Sequence, residues 1–147
     1  MAMNTKKSGK FSARFAVAAL LAVGSIGIAS AGDFKLTGAQ EVPPVDTTYT
    51  GMSSITIAAD GTVSGSVSAP GVPGIMAHIH IGARGVNGPV IVPLTKSTND
   101  VWEVPAGAKL SDDQMKAYQA GNLYVNVHTD AHKGGEIRAQ LLPQVVQ

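Results

Sequence analysis

The sequence predicts an all-β fold: a Greek-key β-sandwich or flattened barrel with one short helix. Three observations carry this. Short runs such as Ser53 to Ala59 and Leu123 to His128 alternate apolar and other residues with the two-residue period of strands. Turn chemistry separates the runs: Asp60-Gly61, Pro70-Gly71-Val72-Pro73-Gly74 and Lys133-Gly134-Gly135. One segment alone carries both a helix start and a helix stop, against roughly seven strand-like runs.

The N-terminal residues stand outside that fold. Lys6, Lys7, Lys10 and Arg14 precede an uncharged apolar run from Phe15 to Ala29, and Ala29-Ser30-Ala31 has the form of a cleavage site. Residues 1–31 read as a secretory signal peptide and residues 32–147 as a single β domain, periplasmic or secreted. The competing reading is a retained anchor, but the apolar run is shorter than the ~20 residues of a spanning helix. No membrane association is expected after cleavage.

The leader holds four of the eleven basic residues and none of the ten acidic ones, so the remainder carries a net charge of −3. That leaves no basic patch for nucleic acid. Cysteine is absent, which excludes disulfides and thiolate metal sites. The domain must hold itself with an apolar core, for which its length suffices. A homodimer is an open expectation, with no segment that locates its interface.

In chain order, Asp33 to Gly38 reads as a strand, with Phe34 and Leu36 alternating. Gly38 to Gly51 reads as loop, since Pro43-Pro44 forbids a central strand. Ser53 to Ala59 and Thr62 to Ser68 flank Asp60-Gly61 and form a hairpin. The strand holding Met76-Ala77-His78-Ile79-His80-Ile81 comes next. Gly82 to Gly88 is a glycine-rich loop; no helix signal with Lys-Ser/Thr follows it, so it is not a phosphate loop. Pro89 to Leu94 and Asp100 to Val104 read as short strands. Ser111-Asp112-Asp113-Gln114 fits a capping box, Leu110 and Met115 a hydrophobic staple, and Gly121 a helix stop. Leu123 to His128 and Glu136 to Leu142 are the last strands. In the final one, Ile137, Ala139 and Leu141 face in, while Glu136, Arg138 and Gln140 face out or toward a neighbour.

All four histidines fall in two motifs, His78-Ile79-His80 and His128-Thr129-Asp130-Ala131-His132. Residues two apart on a strand share a face, so His78 and His80 project together. His128 at a strand end can supply a third imidazole, and His132 can reach back from the turn. Neutral imidazole is the commonest side-chain metal ligand. Four clustered histidines, with none scattered elsewhere, therefore read as a metal site. Copper has the highest intrinsic affinity among divalent ions for such nitrogen donors, and zinc is the alternative. Asp130 is either an acceptor for an imidazole N–H or a turn residue. Met76, on the same face as His78 and His80, is either a soft axial ligand for copper or a core residue.

The stretches Leu36-Thr37-Gly38-Ala39-Gln40-Glu41-Val42-Pro43-Pro44, Ala77-His78-Ile79-His80, Gly88-Pro89-Val90, Tyr124-Val125-Asn126-Val127-His128-Thr129 and Gly135-Glu136-Ile137-Arg138-Ala139-Gln140 together resemble a CHRD domain. This is the module repeated in chordin and found alone in exported bacterial proteins. In chordin it belongs to an extracellular binding protein, so the resemblance also implies an interaction module in which the histidines are structural. A second resemblance is to the copper half of Cu/Zn superoxide dismutase, through His-x-His, a later Val-x-His and the final Gly-Gly-x-x-Arg. It implies His78, His80 and His128 as copper ligands and Arg138 as the catalytic residue that guides superoxide to the metal. The cysteine pair and the zinc loop of that family are missing, so a copper-only site is what it implies, with His132 in place of the absent bridging histidine. Arg138 has a second reading, a surface salt bridge with Glu136 or Asp130. The leading expectation is an exported copper-binding protein with superoxide dismutase-like activity at a mononuclear histidine site; the alternatives are a non-catalytic copper or zinc carrier and the interaction module.

Overall fold

A computed structural model describes residues 33–144. The signal peptide expected over residues 1–31 lies outside them. No helix among the described residues is long and apolar enough to cross a membrane.

The fold is all-β with one short helix, as the alternation predicts. The strands are β1 (Phe34–Thr37), β2 (Thr50–Ser53), β3 (Thr56–Ile57), β4 (Val63–Ser64), β5 (Ser66–Ser68), β6 (Gly74–Ile81), β7 (Val90–Pro93), β8 (Thr95–Lys96), β9 (Val101–Glu103), β10 (Leu123–Thr129) and β11 (Ile137–Leu141), with α1 (Asp112–Gln119) between β9 and β10. Nine strands form one antiparallel sheet in the order β7-β6-β10-β11-β1-β2-β5-β9-β8, and β3 and β4 pair separately. Its two edges, β7 and β8, are neighbours in the chain. Leu94 between them donates its N–H to the Ala77 carbonyl at 2.9 Å, and Lys96 Nζ reaches the Gly74 carbonyl at 2.9 Å. The sheet is thereby nearly closed into a barrel, which leaves few free edge groups.

One face of the long strands fills that barrel. Ala77 and Ile79 of β6, Val125 and Val127 of β10, and Ile137, Ala139 and Leu141 of β11 are all buried there, with Leu36, Val67 and Trp102 opposite. The helix follows its signals. Ser111 Oγ accepts from the Gln114 N–H while the Gln114 side chain accepts from the Ser111 N–H, a complete capping box. Leu110 is buried and Met115 packs against the same core.

The Asp60-Gly61 hairpin is present but shorter than the alternation predicts. Gly61 donates to the Ala58 carbonyl at 2.9 Å and has φ +87, a tight turn closed by a left-handed glycine. Both expected strands then break near Gly65. Its φ is +103, and a Cβ there would collide with the Ser54 carbonyl. The chain bends at that point, so β3–β4 leaves the main sheet while β2 and β5 stay in it. Period-two alternation continues through such a bend and cannot report it.

Candidate metal centre

The second face of β6, β10 and β11 is polar, and its side chains form a grid set by register. His78 lies opposite Asn126, which lies opposite Arg138; His80 lies opposite Tyr124, which lies opposite Gln140. His128 lies opposite Met76. This face is not open to solvent. Glu136, Arg138 and Gln140, expected to face out or toward a neighbour, are 3%, 1% and 4% exposed. The covering comes from the Gly82–Gly88 loop and the chain around Glu41, tied together where Asn87 Nδ2 donates to the Val42 carbonyl at 2.6 Å.

Within the grid three imidazoles converge. His78, His80 and His128 each present one ligand atom within 4.8 Å of the others. Their rings are held differently. His80 donates from Nδ1 to the Gly88 carbonyl at 2.9 Å and stacks on Tyr124, centroids 4.7 Å apart and 4° from parallel. A carbonyl only accepts, so the proton of neutral His80 sits on Nδ1 and Nε2 keeps its lone pair. That Nε2 is buried and has no hydrogen-bond partner. His128 is fixed the same way, its Nδ1 donating to the Lys133 carbonyl at 2.9 Å. Its Nε2 lies 3.0 Å from His78 Nδ1. The third ring thus donates to the second. For all three to offer lone pairs, the His78 proton must move from Nδ1 to Nε2.

Electrostatics keeps these rings neutral. Burial pushes His78 down from 6.5 to about 4, with His128 and His80 beside it adding to the effect. His80 and His128 are also lowered, chiefly by burial. A buried nitrogen lone pair without a partner is costly, and a cation bound between the rings would satisfy it. Beside His80 lies Asn126, whose Oδ1 is likewise buried and unpartnered. The donor set therefore fits a metal ion: three imidazoles, two anchored through N–H to carbonyls as metal-binding histidines are.

His132 does not join the trio. Its N–H donates to Thr129 Oγ1 at 3.0 Å, and its ring lies 3.7 Å from the Glu136 carboxylate. Glu136 in turn accepts from Thr129 Oγ1 at 2.8 Å, so His132 belongs to a turn network. Asp130 is exposed in that turn, as the turn reading has it. Met76 is 45% exposed and so is not a core residue.

Arg138 takes neither of its expected roles. At 1% exposure it has no surface to offer an arriving anion. Its guanidinium lies 3.5 Å over the Tyr124 ring and donates to the Ala83 and Val86 carbonyls at 3.0 and 3.1 Å, to Gln140 Oε1 at 3.1 Å and to Asn87 Oδ1 at 3.3 Å. No ion pair among the described residues includes it. Arg138 instead fastens the glycine-rich loop that orients His80. Gln140 does the same through the Gly82 carbonyl at 2.7 Å. No residue type in this supporting layer announces its role in the sequence. Tyr124, Asn126 and Gln140 were discoverable as the face-mates of His128 and Arg138 at even spacing, and Glu41 through the family-like stretch around it.

No curated protein and no solved structure matches the chain significantly. The CHRD domain family model matches residues 33–141, from the first strand to the last. That span takes in the three imidazoles, the loop that orients them and the strands that carry them, and the chain belongs to the CHRD domain family.

Proposed function

We propose that this protein binds one copper ion outside the cytoplasm through His78, His80 and His128, as a binding or carrier protein. The observation that carries the reading is the buried, unpartnered Nε2 of His80, on a ring whose other nitrogen is anchored to the Gly88 carbonyl. Several imidazoles without a thiolate favour copper among divalent ions by intrinsic affinity, with zinc its competitor. The signal peptide expected over residues 1–31 supports a location outside the thiol-buffered cytoplasm. All three ligands come from one chain, so the site needs no partner copy.

Superoxide dismutation is the second reading. In its favour, three protein ligands leave a coordination position for a small substrate. Against it, the net charge of −3 without the leader repels an anion, and buried Arg138 does not offset this.

Elemental analysis of the protein purified from its native compartment tests the proposal. One copper per chain is expected, lost in His78→Ala, His80→Ala and His128→Ala and retained in His132→Ala. A metal-free protein that takes up neither copper nor zinc would overturn it. The dismutation rate per bound copper then separates the two readings: a rate no higher than that of free copper leaves the carrier alone.

A further inference from the structure

We infer that Met76 supplies a thioether to the same centre and biases it toward the cuprous ion; this rests on the copper reading above. Met76 sits directly opposite His128 across the β6–β10 ladder and two residues from His78 on the same face. Side chains directly opposed on antiparallel strands have Cβ atoms about 4.5–5.5 Å apart. An unbranched methionine with three rotatable bonds spans that distance. The side chain is free to do so, because it is 45% exposed and outside the core cluster.

The strands that carry the trio hold no other sulfur. Their sequences are GIMAHIHI and LYVNVHT, and the chain has no cysteine. The neighbouring carboxylate cannot serve as the fourth donor without leaving its partners, since Glu136 is already engaged by Thr129 and His132. Asn126 Oδ1, beside His80, is a hard neutral oxygen; the donor directly opposite His128 is a soft, uncharged thioether on a half-exposed residue.

Charge points the same way. Three neutral imidazoles and a thioether bring no negative charge to a site where His80 and His128 are buried. The Born cost of an uncompensated ion grows with the square of its charge, so a monovalent ion is desolvated there far more cheaply than a divalent one. Thioether sulfur is also the donor type that selects Cu(I).

The test uses X-ray absorption at the copper edge on purified protein loaded separately with Cu(I) and Cu(II), with a competition titration against a cuprous chelator. Wild type with Cu(I) is expected to show one sulfur neighbour among nitrogens. Met76→Leu should lose that sulfur and at least about tenfold in Cu(I) affinity, with Cu(II) affinity nearly unchanged. Met52→Leu, at a methionine 43% exposed on β2, serves as control and should match wild type. The exposed position keeps Met76→Leu folded, which its melting temperature checks. Nitrogen-only Cu(I) with unchanged affinity in Met76→Leu would overturn the inference and leave the copper reading standing. Failure of wild type to retain copper in either state would overturn both.

Discussion

His80 and Arg138 show how one side chain acts through another. His80 offers a lone pair only because the Gly88 carbonyl holds its proton on Nδ1, and Gly88 belongs to a loop whose carbonyls Arg138 holds. Removing the arginine leaves those carbonyls unpaired beneath the loop. Arg138→Ala is expected to cost about 3 kcal/mol or more, since each buried acceptor left without its donor costs about 1–3 kcal/mol. Arg138→Lys should recover little, since an ammonium cannot reproduce a planar fork with several donors. Urea denaturation of the metal-free protein measures both; a loss under about 1 kcal/mol for Arg138→Ala would mean that the contacts contribute no more than a surface pair. At this scale the sequence was informative about which imidazoles share a face and silent about their support. The His-x-His spacing fixes that two rings share a face. The same alternation assigns Arg138 to one face of β11 but cannot say whether that face is covered, because the cover comes from residues 82–88, far away in sequence.

Among the elements, the strands carry the three imidazoles and the Gly82–Gly88 loop orients one of them, His80. Gly88 approaches β6 so closely that a Cβ would fall on the Ile81 carbonyl oxygen. Its carbonyl also orients His80, and its N–H donates to the Tyr124 hydroxyl at 3.1 Å. Gly88→Ala is therefore expected to displace the loop and weaken copper binding at least about tenfold, although residue 88 is not itself a ligand. Ser111→Ala supplies the contrast. It removes the cap of α1 at a cost of about 1 kcal/mol and should leave metal affinity unchanged, because the hydrogen bonds and ring contacts of the three imidazoles involve no residue of α1. Equal effects of the two changes on metal affinity would show that the loop has no special hold on the centre. The helix was legible because its cap is a local contract among neighbouring residues. The Asp60-Gly61 turn was legible for the same reason. The break at Gly65 and the place of β1 between β11 and β2 depend on partners distant in sequence, which local periodicity does not encode.

At the scale of the whole molecule, burying a polar face makes stability depend on pH in two opposing ways. The three histidines have lowered proton affinity when folded, His78 falling from 6.5 to about 4. Between those values the unfolded chain binds more protons, so their contribution is complete above pH 6.5 and is lost as the pH falls toward 4. Glu41 runs the other way. Burial raises its carboxyl from 4.5 to about 7, against the pull of Arg138 and Asn126 and with Glu136 adding to the rise. Its Oε1 has no hydrogen-bond partner, as suits an acid held protonated. Here the folded chain binds more protons, so the contribution of Glu41 is complete below pH 4.5 and is lost as the pH rises through 7. Metal-free protein should accordingly be most stable in the mildly acid range and decline on both sides. Glu41→Gln deletes only the decline that Glu41 causes as the pH rises from 4.5 through 7, since an amide fills the same space and never ionises. Relative to wild type, the variant should gain melting temperature from pH 5 upward and level off above about pH 7, by a free energy on the order of 3 kcal/mol at full ionisation, while the histidine-driven loss toward pH 4 remains. Thermal melts of both proteins across that range, without metal, are the measurement. A constant difference between them at every pH would mean that Glu41 is ionised throughout, held by Arg138 as a buried ion pair.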